Sequence, residues 1–329
     1  MTREFDVYGV GNALVDVQYA VTPEKLAGLG IDKGVMTLVD EERQREITSH
    51  LGAEPVKKAS GGSAANTMIG VAQFGGTPYY ACRLGRDSWG DFYQRDLEQA
   101  GVSTSTDNRG DGPTGQCLVM VTPDADRTLN TFLGISGELA AAQLEESVIA
   151  ASKYVYLEGY LLTSEEGDGA CHHALDLARK HNTGVSLTLS DPAIVGFCHE
   201  RFARLVEAGV DLLFCNEEEA RAFTGTSTRE QSCEALAKLV ETTWITCGPD
   251  GAILLDANGI RKIPSTPVTA VDTTGAGDLF AGGVLFGLTN GYSALDAGRL
   301  GAFAAAQVVA QYGPRLEQTL ADKISEILE

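Results

Sequence analysis

Short apolar runs alternate along this chain with stretches whose apolar residues recur at three- and four-residue spacing, the signatures of strands and helices in turn. Phe5 to Val10, Tyr79 to Leu84, Tyr154 to Leu157, Gly184 to Leu189, Asp211 to Cys215 and Thr243 to Cys247 read as strands. The run Asp211-Leu212-Leu213-Phe214-Cys215 is apolar at successive positions, as in a parallel strand covered on both faces. Met68, Ile69, Val71, Ala72 and Phe74 fall on one helix, and Ala170 to Lys180 and Phe202 to Ala208 read as two more. Ala294 to Ala310 is apolar nearly all round, which predicts a buried helix. Ala252 to Asp256 and Ile260 to Ile263 form a hairpin through Asn258-Gly259. Pro267 to Val271, rich in Val and Thr, predicts a further strand, and Leu279, Phe280, Gly283, Val284 and Gly287 a helix after it.

Four strand-like runs interrupt this alternation. Val15 to Tyr19 and Gly34 to Val39 flank a short helical piece at Pro23 to Leu29. Gln116 to Val121 and Thr128 to Leu133 flank the turn-rich link Thr122-Pro123-Asp124-Ala125-Asp126-Arg127, so they read as a hairpin. The chain has 329 residues and is 43% hydrophobic, enough for one large α/β domain with a small appendage.

A formal net charge of −20 argues against a nucleic-acid or anionic-membrane surface. It leaves a small phosphate ligand open, because backbone amides and a helix dipole act locally. Seven scattered cysteines without a C-x-x-C pair suit reduced, buried thiols in a cytoplasmic protein. No apolar run is long enough to span a membrane, and the first residues are too polar for a signal peptide. The adjacent His172 and His173 lack metal-ligand spacing.

The chemistry concentrates in Asp272-Thr273-Thr274-Gly275-Ala276-Gly277-Asp278. Glycines at a helix start bring unpaired amides and the positive end of the dipole to a ligand, which suits an anion. Asp278 in the first helical turn would lie beside that anion, a placement that makes sense if it takes a proton from an attacking hydroxyl. Gly61-Gly62-Ser63-Ala64-Ala65-Asn66 opens another helix, whose amides would reach a ligand hydroxyl, with Asn66 bridging to it. Asn12 and Asp16 follow the first strand, where backbone meets ligand. Gly9-x-Gly11 is an incomplete dinucleotide fingerprint, since Leu14 stands where the third glycine belongs. No Walker A sequence occurs.

DTTGAGDLFAGGVL and the Gly61-Gly62 segment, with Asn216-Glu217-Glu218-Glu219 between them, resemble the three signatures of the ribokinase-like (PfkB) carbohydrate and nucleoside kinases, in the same order. Within that family the chain is most similar to the adenosine kinases, whose glycine-pair segment also has Ser where many sugar kinases have Lys. The resemblance implies a three-layer α/β/α domain (1–13, 41–113 and 134–329) with a small discontinuous β-sheet lid (14–40 and 114–133). It implies ATP and Mg²⁺ as cofactors, and phosphorylation of adenosine at the ribose 5′-hydroxyl. Asp278 is then the base, and the amides of Gly275, Ala276 and Gly277 the anion hole.

Asp16, Gly61, Gly62, Asn12 and Asn66 would hold the sugar, and Met36 with Leu38 an apolar base. Arg127 would clamp the γ-phosphate on lid closure. Asn216 and Glu219 would organise Mg²⁺ through water, and Thr246, Gly248, Gly251 and Thr274 would face the nucleotide. A monovalent cation such as K⁺ near Asp272 is a further implication. The partners are small molecules, and the chain is a monomer or homodimer. Kinases of other nucleosides or of free ribose, fructose or 2-keto-3-deoxygluconate stay open. So do a non-catalytic binding module and, on Gly9-x-Gly11 alone, an NAD-dependent oxidoreductase.

Overall fold

The computed structural model describes residues 3–52, 54–124, 126–316 and 318–329; Met1, Thr2 and Ala125 of the hairpin link lie outside them. A nine-stranded sheet forms the body. Its order runs Gly259–Ile263, Ala252–Asp256, Thr242–Thr246, Leu212–Asn216, Gly184–Thr188, Ser152–Glu158, Phe5–Val10, Pro78–Ala81, Ser103–Thr104. The first two are antiparallel additions at one edge, and the rest pair in parallel.

Alternation along each strand builds two cores, one per face. Val7, Tyr156, Phe214, Trp244 and Leu254 point to one side, under the helices Ser63–Gln73, Ala276–Thr289 and Ala294–Val309. Tyr8, Val155, Leu157, Leu213, Ile245 and Ile253 point to the other, under Glu165–Lys180, His199–Gly209 and Glu217–Thr224. With both faces covered, the central strands are continuously apolar, which is why Leu212 to Cys215 shows no polar alternation. The result is the three-layer α/β/α architecture expected from the sequence.

A separate five-stranded sheet lies over the C-terminal ends of the parallel strands, in the order Met36–Leu38, Arg127–Phe132, Gly115–Val121, Leu14–Ala20, Lys57–Gly61. Its fifth strand, Lys57–Gly61, adds to the four legible in the sequence and pairs with Leu14–Gln18. Lys-Lys-Ala-Ser-Gly has no apolar alternation, so only its partner strand identifies it.

Two expectations are corrected. Tyr79 to Leu84 is not one strand: the large-sheet strand ends at Ala81, and Leu84–Gly85 pairs instead with Arg109–Gly110. Pro267 to Val271 is irregular, with Val268 and Val271 exposed. Among the described residues it pairs with no strand, and its end is held by the Val271 amide on the Val309 carbonyl at 2.8 Å. Val and Thr favour strands only where a neighbour offers a ladder and a surface to pack on.

The Ala276–Thr289 helix is held at close range. A Cβ on Gly283 would come within 2.7 Å of the Gly301 backbone, and one on Gly287 within 2.7 Å of Ala297. These approaches seat the helix between its neighbours and thereby set where its N-terminus points. All seven cysteines are buried free thiols. Among the described residues no helix is long and apolar enough to cross a membrane.

Candidate active site

Five parallel strands end beneath the small sheet, at Val10, Glu158, Thr188, Asn216 and Thr246, the end of an open α/β sheet at which ligands bind. Two cavities open there. One, of about 210 Å³, lies under the small sheet, and the other, of about 450 Å³, lies over the strand ends. Asp278 lines both, together with Ser63, Tyr160 and Thr274.

Asp278 sits in the first turn of Ala276–Thr289, behind Gly275 in the left-handed conformation at φ 80°. A side chain there would also collide with Pro314, since a Cβ would lie 2.7 Å from its Cα, so glycine alone fits. Gly275 offers no side-chain cap. The Ala276 amide is taken by the Thr273 carbonyl at 3.2 Å, while the Leu279 amide bonds the Gly275 carbonyl. The first-turn amides of Gly277 and Asp278 therefore have no acceptor within the helix. They and the dipole make a positive pole beside a carboxylate.

That carboxylate is oriented from the glycine-pair segment. Ser63 Oγ donates to Asp278 Oδ1 at 2.7 Å, and Asn66 Nδ2 donates to Oδ2 at 3.0 Å. Loss of hydration pushes the carboxyl up to about 6, against the lowering effect of these two donors. It is ionised at neutral pH yet basic enough to accept a proton. Asn66 Oδ1 is buried and has no hydrogen-bond partner in the protein, so an acceptor faces the same region.

Asp16 lines the smaller cavity and lies against Gly61, where any side chain would strike its carboxylate. Burial pushes it up to about 6, opposed by Arg315 and Arg127, with Asp278 adding to the rise. Gly62, at φ 101°, opens the Ser63–Gln73 helix. Met36 and Leu38, both on an exposed edge strand, line the same cavity with Leu14, Val119, Leu129 and Leu133. One end of the cavity is thus acidic and polar and the other apolar. Asn12 lines it too, but its side chain is occupied by Glu158.

Glu158 was not legible as a site residue in the sequence. It is 1% exposed, at the end of an apolar strand, and lines the smaller cavity. Its Oε2 accepts from the Ala64 amide at 2.8 Å and its Oε1 from Asn12 Nδ2 at 3.1 Å. Burial pushes it up to about 7 despite these donors. The available signal is a lone acid closing the run Tyr154-Val155-Tyr156-Leu157.

The larger cavity is lined by Asn216, Glu219, Thr246, Gly248, Thr274, Gly275, Ala276 and Gly277. Gly251 does not line it; at φ 90° it closes the turn before Ala252–Asp256. Asn216 and Glu219 interlock as a capping box. The Glu219 amide donates to Asn216 Oδ1 at 2.8 Å, and Asn216 Nδ2 donates to Glu219 Oε1 at 2.6 Å. Burial pushes the Glu219 carboxyl up to about 7. Among the described residues no group of three or more His, Cys, Asp or Glu converges as a metal cage. One buried carboxylate lining this cavity nevertheless fits Mg²⁺, which binds through few protein ligands, waters and substrate phosphates.

Arg127 is neither solvated nor free. Its side chain is 10% exposed and its Nη1 lies 3.1 Å from Oδ2 of Asp272, which is 6% exposed. Asp272 also accepts from the amides of Thr274 at 3.0 Å and Gly313 at 2.8 Å. A dissociable K⁺ does not fit against Asp272, whose charge is already met by the Arg127 guanidinium and whose oxygens are bonded to the Thr274 and Gly313 amides.

The chain resembles kinases throughout its length. Residues 30–320 match the pfkB family carbohydrate kinase profile. The structure superposes on the adenosine kinase of Sinorhizobium meliloti with a TM-score of 0.90 at 35% identity, covering 98% of this chain and 99% of that one. It superposes equally on a probable sugar kinase of Rhizobium etli, with a TM-score of 0.91 at 36% identity over 99% of both chains. The adenosine kinase of Saccharomyces cerevisiae is 28% identical over 93% of this chain and 95% of its own length. A carboxylate at a glycine-rich helix start between two cavities, in a sheet and lid of this form, accords with these matches, and the chain belongs to the pfkB family of carbohydrate kinases.

Proposed function

We propose that this kinase transfers the γ-phosphate of ATP to the 5′-hydroxyl of adenosine. The observation that carries the reading is Asp278 at the junction of two cavities, beside unpaired helix amides. The acceptor occupies the smaller cavity, with its sugar toward Asp16 and Asn66 and its base among Leu14, Met36, Leu38 and Leu133. That apolar end suits a purine ring better than a second set of hydroxyls. ATP lies in the larger cavity, along Thr246, Gly248 and the Thr274–Gly277 segment.

Asp278 takes the proton of the acceptor hydroxyl. The freed oxygen forms a bond to the γ-phosphorus while the bond to the β–γ bridging oxygen breaks, and ADP leaves with the electron pair. The amides of Gly277 and Asp278 meet the negative charge on the moving phosphoryl group. Asn216 and Glu219 would hold Mg²⁺ through water, and the ion would supply neutralisation of the phosphate oxygens. The small sheet covers the acceptor and excludes water that would otherwise take the phosphate.

ADP release with MgATP and a panel of adenosine, inosine, guanosine, cytidine, ribose, fructose and 2-keto-3-deoxygluconate tests the reading. Turnover with adenosine above all others is expected. Preferential turnover with a free sugar, the activity named for the Rhizobium etli relative, would keep Asp278 and discard the base pocket. Adenosine binding without turnover would reduce the protein to a binding module.

A further inference from the structure

We infer that Arg127 is a built-in cation that holds the phosphate-binding loop in shape through Asp272, in the place where a dissociable monovalent cation would otherwise act. The inference rests on the kinase reading of the site but not on which acceptor it uses. Asp272 opens the segment that ends in Asp278, and its carboxylate ties three separate parts of the fold together. Oδ1 accepts from Thr274 two residues ahead, which bends the loop into the turn before Gly275. Oδ2 accepts from the amide of Gly313, next to the Pro314 that packs on Gly275. Arg127, at the start of a small-sheet strand, completes the set.

Burial makes the pairing consequential. An uncompensated carboxylate at 6% exposure is unfavourable, so this loop needs a positive charge to keep its form. A guanidinium supplies that charge permanently, since it stays protonated at any working pH. It also repels a second cation from the same oxygens. Because Arg127 belongs to the lid sheet and Asp272 to the phosphate loop, the pair makes the loop's geometry depend on the lid being seated. Arg127 Nε is buried with no partner in the protein, so the side chain is not saturated by this contact. Arg127 is a positioning residue, acting on the reacting groups through Asp272.

The test titrates KCl against tetramethylammonium chloride at constant ionic strength, on wild type and Arg127→Met. Turnover and melting temperature are read in parallel. The wild type is expected to change less than twofold in turnover and less than 1 °C in melting. Arg127→Met is expected to lose tenfold or more in turnover without K⁺. With K⁺ it should recover a large part of this loss and gain several degrees in melting temperature.

A K⁺ activation of the wild type of fivefold or more, or an Arg127→Met protein indifferent to K⁺ in both readouts, would overturn the inference. Should Arg127→Met fail to fold, the wild-type titration alone decides. The melting readout needs no acceptor, so a failure here is distinct from a wrong choice of substrate.

Discussion

Replacing Asp278 by asparagine should stabilise the protein while removing its activity. The carboxyl is pushed from 3.8 to about 6 by loss of hydration, which corresponds to about 3 kcal/mol of charge penalty at neutral pH. The side chain is half-buried and reached by solvent through two cavities, so we take about half of this. Asparagine keeps the shape but has one acceptor where Asp278 has two. Either Ser63 Oγ, which can rotate, or Asn66 Nδ2 then faces an N–H group, at about 0.5–1 kcal/mol. The net expectation for Asp278→Asn at pH 8 is a gain of about 1 kcal/mol in urea unfolding, with turnover falling by about 10²–10⁴.

The sign with pH follows from linkage. The folded carboxyl holds its proton more tightly than the unfolded one, so folding takes up protons between about pH 4 and 6. The wild type therefore carries the full penalty above about pH 6 and is relieved of it as pH falls toward 4. The variant has no such carboxyl, and its advantage should shrink over that window. Unfolding curves from pH 5 to 8 with both proteins, beside coupled assays of ADP release, measure this. A variant less stable than wild type by more than 1 kcal/mol at pH 8, or one within tenfold of its turnover, would refute the reasoning.

Turnover of the wild type should fall about tenfold per pH unit below about pH 6, as Asp278 gains its proton, in a profile of kcat/KM against pH. Asp16→Ala should raise the acceptor KM by about 10–100-fold, the loss of a charged hydrogen-bond acceptor, and leave the ATP KM within about threefold in initial-rate measurements. Gly283→Val should destabilise by about 1–3 kcal/mol in urea unfolding, because its Cβ meets the Gly301 backbone at 2.7 Å and neither helix can give way cheaply.

Much of the site was legible because its chemistry lies in contiguous segments. The Asp272–Asp278 run declares itself by glycines ahead of a helical apolar period, since only glycine takes the left-handed turn before Asp278. Asn216 and Glu219 are spaced as a capping box, and Gly61-Gly62 stands at a helix start. The strand alternation of the body was readable for the same local reason, because both faces of the sheet are covered and its central strands are continuously apolar.

What escaped the sequence depended on partners far along the chain. Lys57–Gly61 is a strand because Leu14–Gln18 offers it a ladder, and Pro267–Val271 is not one because no described strand pairs with it. Glu158 looked like the end of an apolar strand until folding placed it against Asn12 and Ala64. Arg127 stood out as a lid residue for the γ-phosphate, but its burial against Asp272, far along the chain, was not legible. The sequence by itself determined most of the elements, the glycine turn and the place of Asp278 behind it, since short-range sterics and periodicity decide these. Only the tertiary structure decided which charges meet and how far each carboxyl is raised. Those quantities depend on distance and hydration in the packed state, which no local pattern encodes.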